Sequence, residues 1–193
     1  MGISALITTS DGDKVDNPHY YRTAQSDLRR KQRKLARAKR GSSNRRKALL
    51  AVQCQQEHVA NQRKDFLNKL AHDLVRRYDL IALEDLRISN MVRNKHLSKS
   101  ILDSGWGYIK QRLLDKAASA GRQVVLVDPA YTSKTCSNCG ASFEDLKLSD
   151  RWVQCACGLS LDRDHNAALN VLSRAGRDTS VQRNVEAGSS CVL

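Results

Sequence analysis

The stretch KTCSNCGASFEDLKLSDRWVQCACGLSLDRDHNAALN, residues 134–170, decides how this chain is read. It holds two close cysteine pairs, Cys136 with Cys139 and Cys155 with Cys157, and then passes into an acidic opening followed by apolar residues at helical spacing. Four thiolates in two close pairs suit tetrahedral zinc, and a closed four-thiolate shell is structural, with no open position for chemistry. The second pair is Cys-X-Cys where two intervening residues are usual, so its knuckle is expected to be distorted. A zinc ribbon over 132–160 would have almost no core, and metal binding is expected to supply its folding free energy, on the order of 10 kcal/mol. Cys54 and Cys191 stand apart and read as ordinary residues.

Composition points to a polyanionic partner. The 193 residues carry 33 Lys+Arg against 20 Asp+Glu, a net charge of +13, which attracts polyanions. No run of eighteen apolar residues occurs, and no basic segment followed by an apolar stretch opens the chain, so neither a membrane span nor a secretion signal is expected. The expectation is a cytoplasmic protein in contact with nucleic acid, a compartment in which clustered thiols bind metal rather than form disulfides.

Upstream of the cysteines the pattern alternates between strands and helices. Residues 2–9 predict a strand, SDGD at 10–13 an Asp-Gly hairpin turn, and Lys14–Val15 the return. From Thr23 to Tyr78 there is no proline and one glycine, Gly41, which predicts an antiparallel helix pair with a turn near 41–43. The second helix carries Val59, Phe66, Leu67, Leu70, Leu74 and Val75 as a core-facing stripe. LIALEDL at 80–86 and QVVLVDP at 123–129 predict two buried strands, and the apolar residues from Ile101 to Leu114 predict a helix that ends at Gly121. A last helix is expected over 162–176, and a disordered tail over 177–193.

The first helix pair is the basic element. Arg29, Arg30, Lys31, Arg33, Lys34, Arg37, Lys39, Arg40, Arg45 and Arg46 face a single acid, Asp27, over residues 22–47. One-signed charge repels itself, and a phosphate backbone relieves that repulsion, so these ten residues are expected to touch nucleic acid.

Glu84 ends one predicted strand, while Asp162 and Asp164 open the last helix. Singly, such acids serve as solvated caps. Together they also fit a site for divalent ions, in which carboxylates from separate elements hold the attacking and leaving oxygens of a phosphodiester. Spacing alone leaves both readings open.

Five stretches, SALITTSDG, RRYDLIALEDL, MVRNKHLSKSILDSGWGYIKQRLLDKA, VVLVDPAYTSKTCSNCG and DRDHNAALNVL, resemble in order the C-terminal part of the TnpB family of transposon-encoded, RNA-guided DNA nucleases. The resemblance implies an α/β chain: a RuvC-like nuclease domain of the RNase H fold over 1–131 and 161–176, with a helical insertion at about 23–78 and the zinc ribbon at 132–160. It implies Mg²⁺ chemistry, a guide RNA and a DNA target as partners, Glu84 as the second catalytic carboxylate and Asp164 as the third. Asp162 is the second choice, because residues two apart on a helix point about 200° away from each other. Asn166 is expected to support the helix start. The family's first carboxylate lies in an Asp-X-Gly pattern whose Gly is Gly2 and whose X is Met1, so it is expected one residue before this sequence. Asp11 and Asp13 are expected some 25–30 Å from the site along a straight strand, and Asp128 is the better placed substitute. Two functions follow from the resemblance: a nuclease domain that is weak by itself, or a nucleic-acid-binding module without chemistry.

Overall fold

The computed structural model describes residues 1–2, 5–147, 149–177 and 190–192. The elements run β1 Ala5–Thr8, β2 Lys14–Asp16, α1 Tyr20–Arg37, α2 Ser43–Arg77, β3 Leu80–Glu84, α3 Ile88–Met91, α4 Ser98–Ser104, α5 Trp106–Ser119, β4 Gln123–Val127, β5 Trp152–Gln154, β6 Ser160–Asp162, α6 Arg163–Arg177 and β7 Ser190–Val192.

β3 is the centre. Its residues alternate between two faces: Ile81 and Leu83 enter a core built with Leu67, Leu74, Ile109 and Leu113 from α2 and α5, and Ala82 enters a smaller core with Val127 and with Ala168, Val171 and Ala175 of α6. Covered on both sides, β3 is buried from Leu80 to Leu83, which explains its continuous apolar run. The same alternation puts Glu84, at the strand's end, on the α6 side.

Several expectations need correction. The sheet is not one mixed sheet among the described residues: β4-β3-β7 is a parallel three-stranded sheet, and the β1-β2 hairpin stands separately. The reason is that β7 takes the edge of β3 opposite β4, pairing Leu80–Ala82 with Ser190–Val192. That pairing also revises the disordered tail. Its end contributes a strand because the edge of β3 offers unpaired N–H and C=O groups to an extended segment, while 178–189 and 193 lie outside the described residues. β4 is an edge strand rather than a buried one, with Leu126 40% exposed. The helix expected through Ile101–Leu114 is two helices, α4 and α5, broken at Gly105 with φ 67°. A Cβ there would lie 2.7 Å from Leu67 Cδ1, so both the left-handed backbone and the close packing require glycine. The break shifts the helical phase and leaves Leu102 exposed.

The basic helix pair forms as expected, with α1 beginning three residues earlier than the pattern indicated. Asp103, buried on α4, accepts from the backbone N–H groups of Tyr21 and Arg22 at 3.0 and 3.4 Å and pairs with Arg63 at 3.2 Å. A carboxylate from a distant element thus caps α1.

Candidate functional site

Glu84 and Asp164 line one cavity of about 540 Å³, together with Met1, Gly2, Thr8, Thr132, Arg151 and Arg163. The two carboxylates arrive from different elements, Glu84 from the end of β3 and Asp164 from the first turn of α6. Glu84 is held at both oxygens: Thr132 Oγ1 donates to Oε1 at 2.9 Å, and the Met1 ammonium donates to Oε2 at 3.4 Å. A Cβ built on Gly2 would lie 3.9 Å from Asp164 Oδ2. The first two residues therefore run between the two carboxylates.

Asp162 does a different job. Its Oδ1 accepts from the backbone N–H groups of Asp164 and His165 at 3.0 and 3.2 Å, which caps the first turn of α6. Its Oδ2 accepts from Lys14 Nζ at 2.8 Å, and it does not line the cavity. Desolvation opposes ionisation of Asp162, but Lys14 and the two amides outweigh it and hold the carboxyl below its usual value.

The other acids are engaged elsewhere. Asp128 is exposed and accepts from Ala130 N at 2.9 Å, closing a local turn. Asp11 accepts from Tyr78 Oη at 2.8 Å and Asp13 pairs with Arg77 at 3.2 Å. The straight-strand estimate for this hairpin does not hold, because His165 Nε2, one residue past Asp164, donates to Ser10 O at 2.8 Å. β1 is four residues long with an irregular register between Ala5 and Ile7, so the hairpin turns back toward the start of α6. Asp11 and Asp13 are engaged by Tyr78 and Arg77 and do not line the cavity.

A row of side chains along α6, missed in the sequence except for its first member, frames the site. Asn166, fully buried, accepts from Ser137 N at 2.9 Å and donates to Thr135 O at 2.8 Å. One turn on, Asn170 donates to Thr132 O at 2.9 Å, and one turn further Arg174 donates to Asp128 O and Ala130 O at 2.9 and 2.7 Å. The i, i+4, i+8 spacing puts all three on one face, and it was the available signal. Through Asn170 and Thr132, the helix that carries Asp164 also fixes the residue that holds Glu84.

The cysteines converge. Their four Sγ atoms lie within 4.8 Å of one another, with Cys136 and Cys157 at 3.7 Å and Cys139 and Cys155 at 3.5 Å. A tetrahedron with Zn–S bonds of about 2.3 Å has edges of about 3.8 Å, so the donor set fits a zinc ion. The short Cys-X-Cys pair completes it because Gly158, at φ 91°, donates back to Cys155 O at 3.0 Å, as Gly140, at φ 79°, does to Cys136 O. The Asn138 amide and the Leu159 N–H draw the Cys157 thiol down to about 6. The Cys157 N–H favours the Cys155 thiolate, but the contact with the Cys139 thiol and desolvation outweigh it and push Cys155 up to about 12.

On the basic pair, Arg29, Arg30, Arg33, Lys34, Arg37, Lys39, Arg40 and Arg46 are exposed. Arg30 and Lys31 pair with Asp27. Arg45 donates to Leu35 O and Ala38 O at 3.1 and 3.3 Å, which makes it a clasp for the end of α1. Lys31, Lys34, Arg37 and Lys47 line a cleft of about 480 Å³ between the helices. Among the described residues, no helix is long and apolar enough to cross a membrane.

Residues 1–95 match the family model described as "Probable transposase", and residues 106–171 match "Cas12f1-like, TNB domain". A "Putative RNA-guided DNA endonuclease" of Streptomyces pristinaespiralis is 38% identical over 173 residues, which are 89% of this chain and 43% of the relative. The "Putative RNA-guided DNA endonuclease InsQ" of Escherichia coli is 33% identical over 188 residues, 89% of this chain and 47% of the relative. The chain thus spans about half the length of these curated relatives. A Cas12f1 chain, solved by cryo-electron microscopy with sgRNA and target DNA, shares the fold at a TM-score of 0.58 and 18% identity, over 82% of this chain and 43% of that one. With both halves of the chain matched in order and relatives above 30% identity along most of its length, this protein belongs to the TnpB-like family of transposon-associated proteins.

Proposed function

We propose that the chain forms the RuvC-type, RNase H-like nuclease core of a TnpB-like RNA-guided DNA endonuclease, with residues 132–160 as its zinc ribbon and the basic α1–α2 pair as its nucleic-acid grip. The observation that carries the reading is the shared cavity of Glu84 and Asp164, reached from β3 and α6. Carboxylate oxygens suit Mg²⁺, and the two side chains would hold it. When bound, such ions stabilise the charge that develops on the attacking and leaving oxygens of a phosphodiester. The chain's own contribution is placement: Thr132 fixes the Glu84 rotamer, Asp162 caps the helix that presents Asp164, and the cations Arg151 and Arg163 line the cavity where the phosphate enters.

The names of the relatives support an RNA guide and a DNA target. The exposed cations of the helix pair support nucleic-acid binding by this polypeptide.

The test is nicking of supercoiled plasmid in Mg²⁺ by this polypeptide and by its Glu84→Gln and Asp164→Asn variants. Nicking that vanishes in both variants supports the proposal. Nicking that persists in both variants overturns it.

A further inference from the structure

A second cavity, of about 180 Å³, lies where the start of α1 meets α4 and is lined by His19, Arg22, Arg29, His96, Lys99 and Asp103 among others. Three permanent cations and two imidazoles converge there from α1, from α4 and from the loops before them. The single acid, Asp103, is already saturated by the Tyr21 and Arg22 amides and by Arg63. Its charge is balanced by the Arg63 guanidinium, which leaves the cations of the rim without a compensating acid. Among the described residues, the side chains of Arg22, Arg29 and Lys99 have no acidic partner. Like charges gathered in a concavity raise the local potential and draw an anion.

The cavity is also fixed in shape. Asn17, 8% exposed, donates to Ser104 Oγ at 2.9 Å and accepts from His19 N at 3.1 Å. It ties the segment ahead of α1 to α4 and holds His19 at φ 51°. Arg22 and Arg29 are seven residues apart on α1 and share one face, and Arg29 also belongs to the run of basic residues that continues along that helix.

We propose that this cavity binds a backbone phosphate of the nucleic-acid strand that follows α1, and so extends the contact surface from the helix pair to α4. The proposal rests on the nucleic-acid reading above and adds Arg22, Lys99, His19 and His96 to it. All three permanent cations are exposed, so replacing them leaves the fold intact.

The experiment compares the wild-type chain, Arg22→Ala, Lys99→Ala and Lys116→Ala, the last removing the same charge from α5, away from the helix pair. Binding of a fixed-length oligonucleotide is followed as a function of salt, and imidazole C–H resonances are followed by NMR with inorganic phosphate and with the oligonucleotide. Arg22→Ala and Lys99→Ala are each expected to weaken binding severalfold and to reduce the slope of log K against log salt by about one. Lys116→Ala should do neither, and the His96 and His19 signals should shift with either ligand in wild type but weakly in Arg22→Ala and Lys99→Ala. Three outcomes overturn the proposal. If all three variants match wild type while wild-type binding stays salt-sensitive, this cavity fails and the helix-pair reading stands. If phosphate shifts the histidines and the oligonucleotide does not, the site is for small anions. If wild type binds no oligonucleotide, both readings fall.

Discussion

Thr132 Oγ1 donates a 2.9 Å hydrogen bond to Glu84 Oε1, while Thr132 O accepts from Asn170 Nδ2 on α6 at 2.9 Å. One buried residue thus connects the end of β3 to the helix that carries Asp164. Thr132→Val, which keeps the shape and removes the donor, should cost about 1 kcal/mol of stability. It should also weaken divalent-ion affinity severalfold, and Thr132→Ser should restore both. Urea unfolding and metal titration check this.

Asp162 makes stability depend on acid. Its folded pKa lies below the usual carboxylate value, so its contribution is fully present above the unfolded pKa and is lost as pH falls through the folded one. Asp162→Ala should cost about 1 kcal/mol at pH 7 through the lost cap, and the gap to wild type should narrow as pH falls through the folded pKa. Asp162→Asn should recover most of the loss, because the amide oxygen still caps and the Lys14 pair is largely solvated. Unfolding midpoints measured from neutral pH down into strong acid decide it.

Metal analysis of the purified chain should find one zinc per chain, lost in Cys157→Ser as in Cys136→Ser and retained in Cys54→Ser. Chelation should unfold the ribbon segment, since binding on the order of 10 kcal/mol holds it together. Because Asn166 and Asn170 bond to backbone of residues 132–137, zinc loss should also loosen Thr132 and lower divalent-ion affinity at Glu84.

Nucleic-acid affinity should fall by about three to five decades between 50 and 200 mM salt if some six to ten phosphates are neutralised. Arg33→Ala should lower the slope, as an exposed cation without a partner among the described residues. Arg45→Ala should act instead on stability, since its guanidinium closes the end of α1. Binding isotherms alongside thermal unfolding separate the two effects.

The sequence made some of this legible and hid the rest for identifiable reasons. Cysteine spacing, the Asp-Gly hairpin and the apolar stripe of α2 each carry a local signal, and each appears in the fold. Glu84 and Asp164 were nominated by motif, but their common cavity depends on β3 being covered on both faces, which no local pattern states. The framing roles of Asn170 and Arg174 depend on partners 35 to 46 positions away, and the tie of Asp162 to Lys14 spans 148. Three residues after a long polar segment carry no periodicity, so β7 has no local signal. At Gly105 the apolar pattern continues although the helix does not, so the break has none either.

The central claim is that Glu84 and Asp164 together hold a divalent ion. Mn²⁺ binding to the zinc-loaded chain, measured by electron paramagnetic resonance in wild type, Glu84→Gln, Asp164→Asn and Asp162→Asn, tests it most directly. The account predicts saturable binding in wild type, a loss of at least about tenfold in Glu84→Gln and Asp164→Asn, and near wild-type binding in Asp162→Asn. Equal losses at Asp162 and Asp164, or binding indifferent to Glu84, would contradict it.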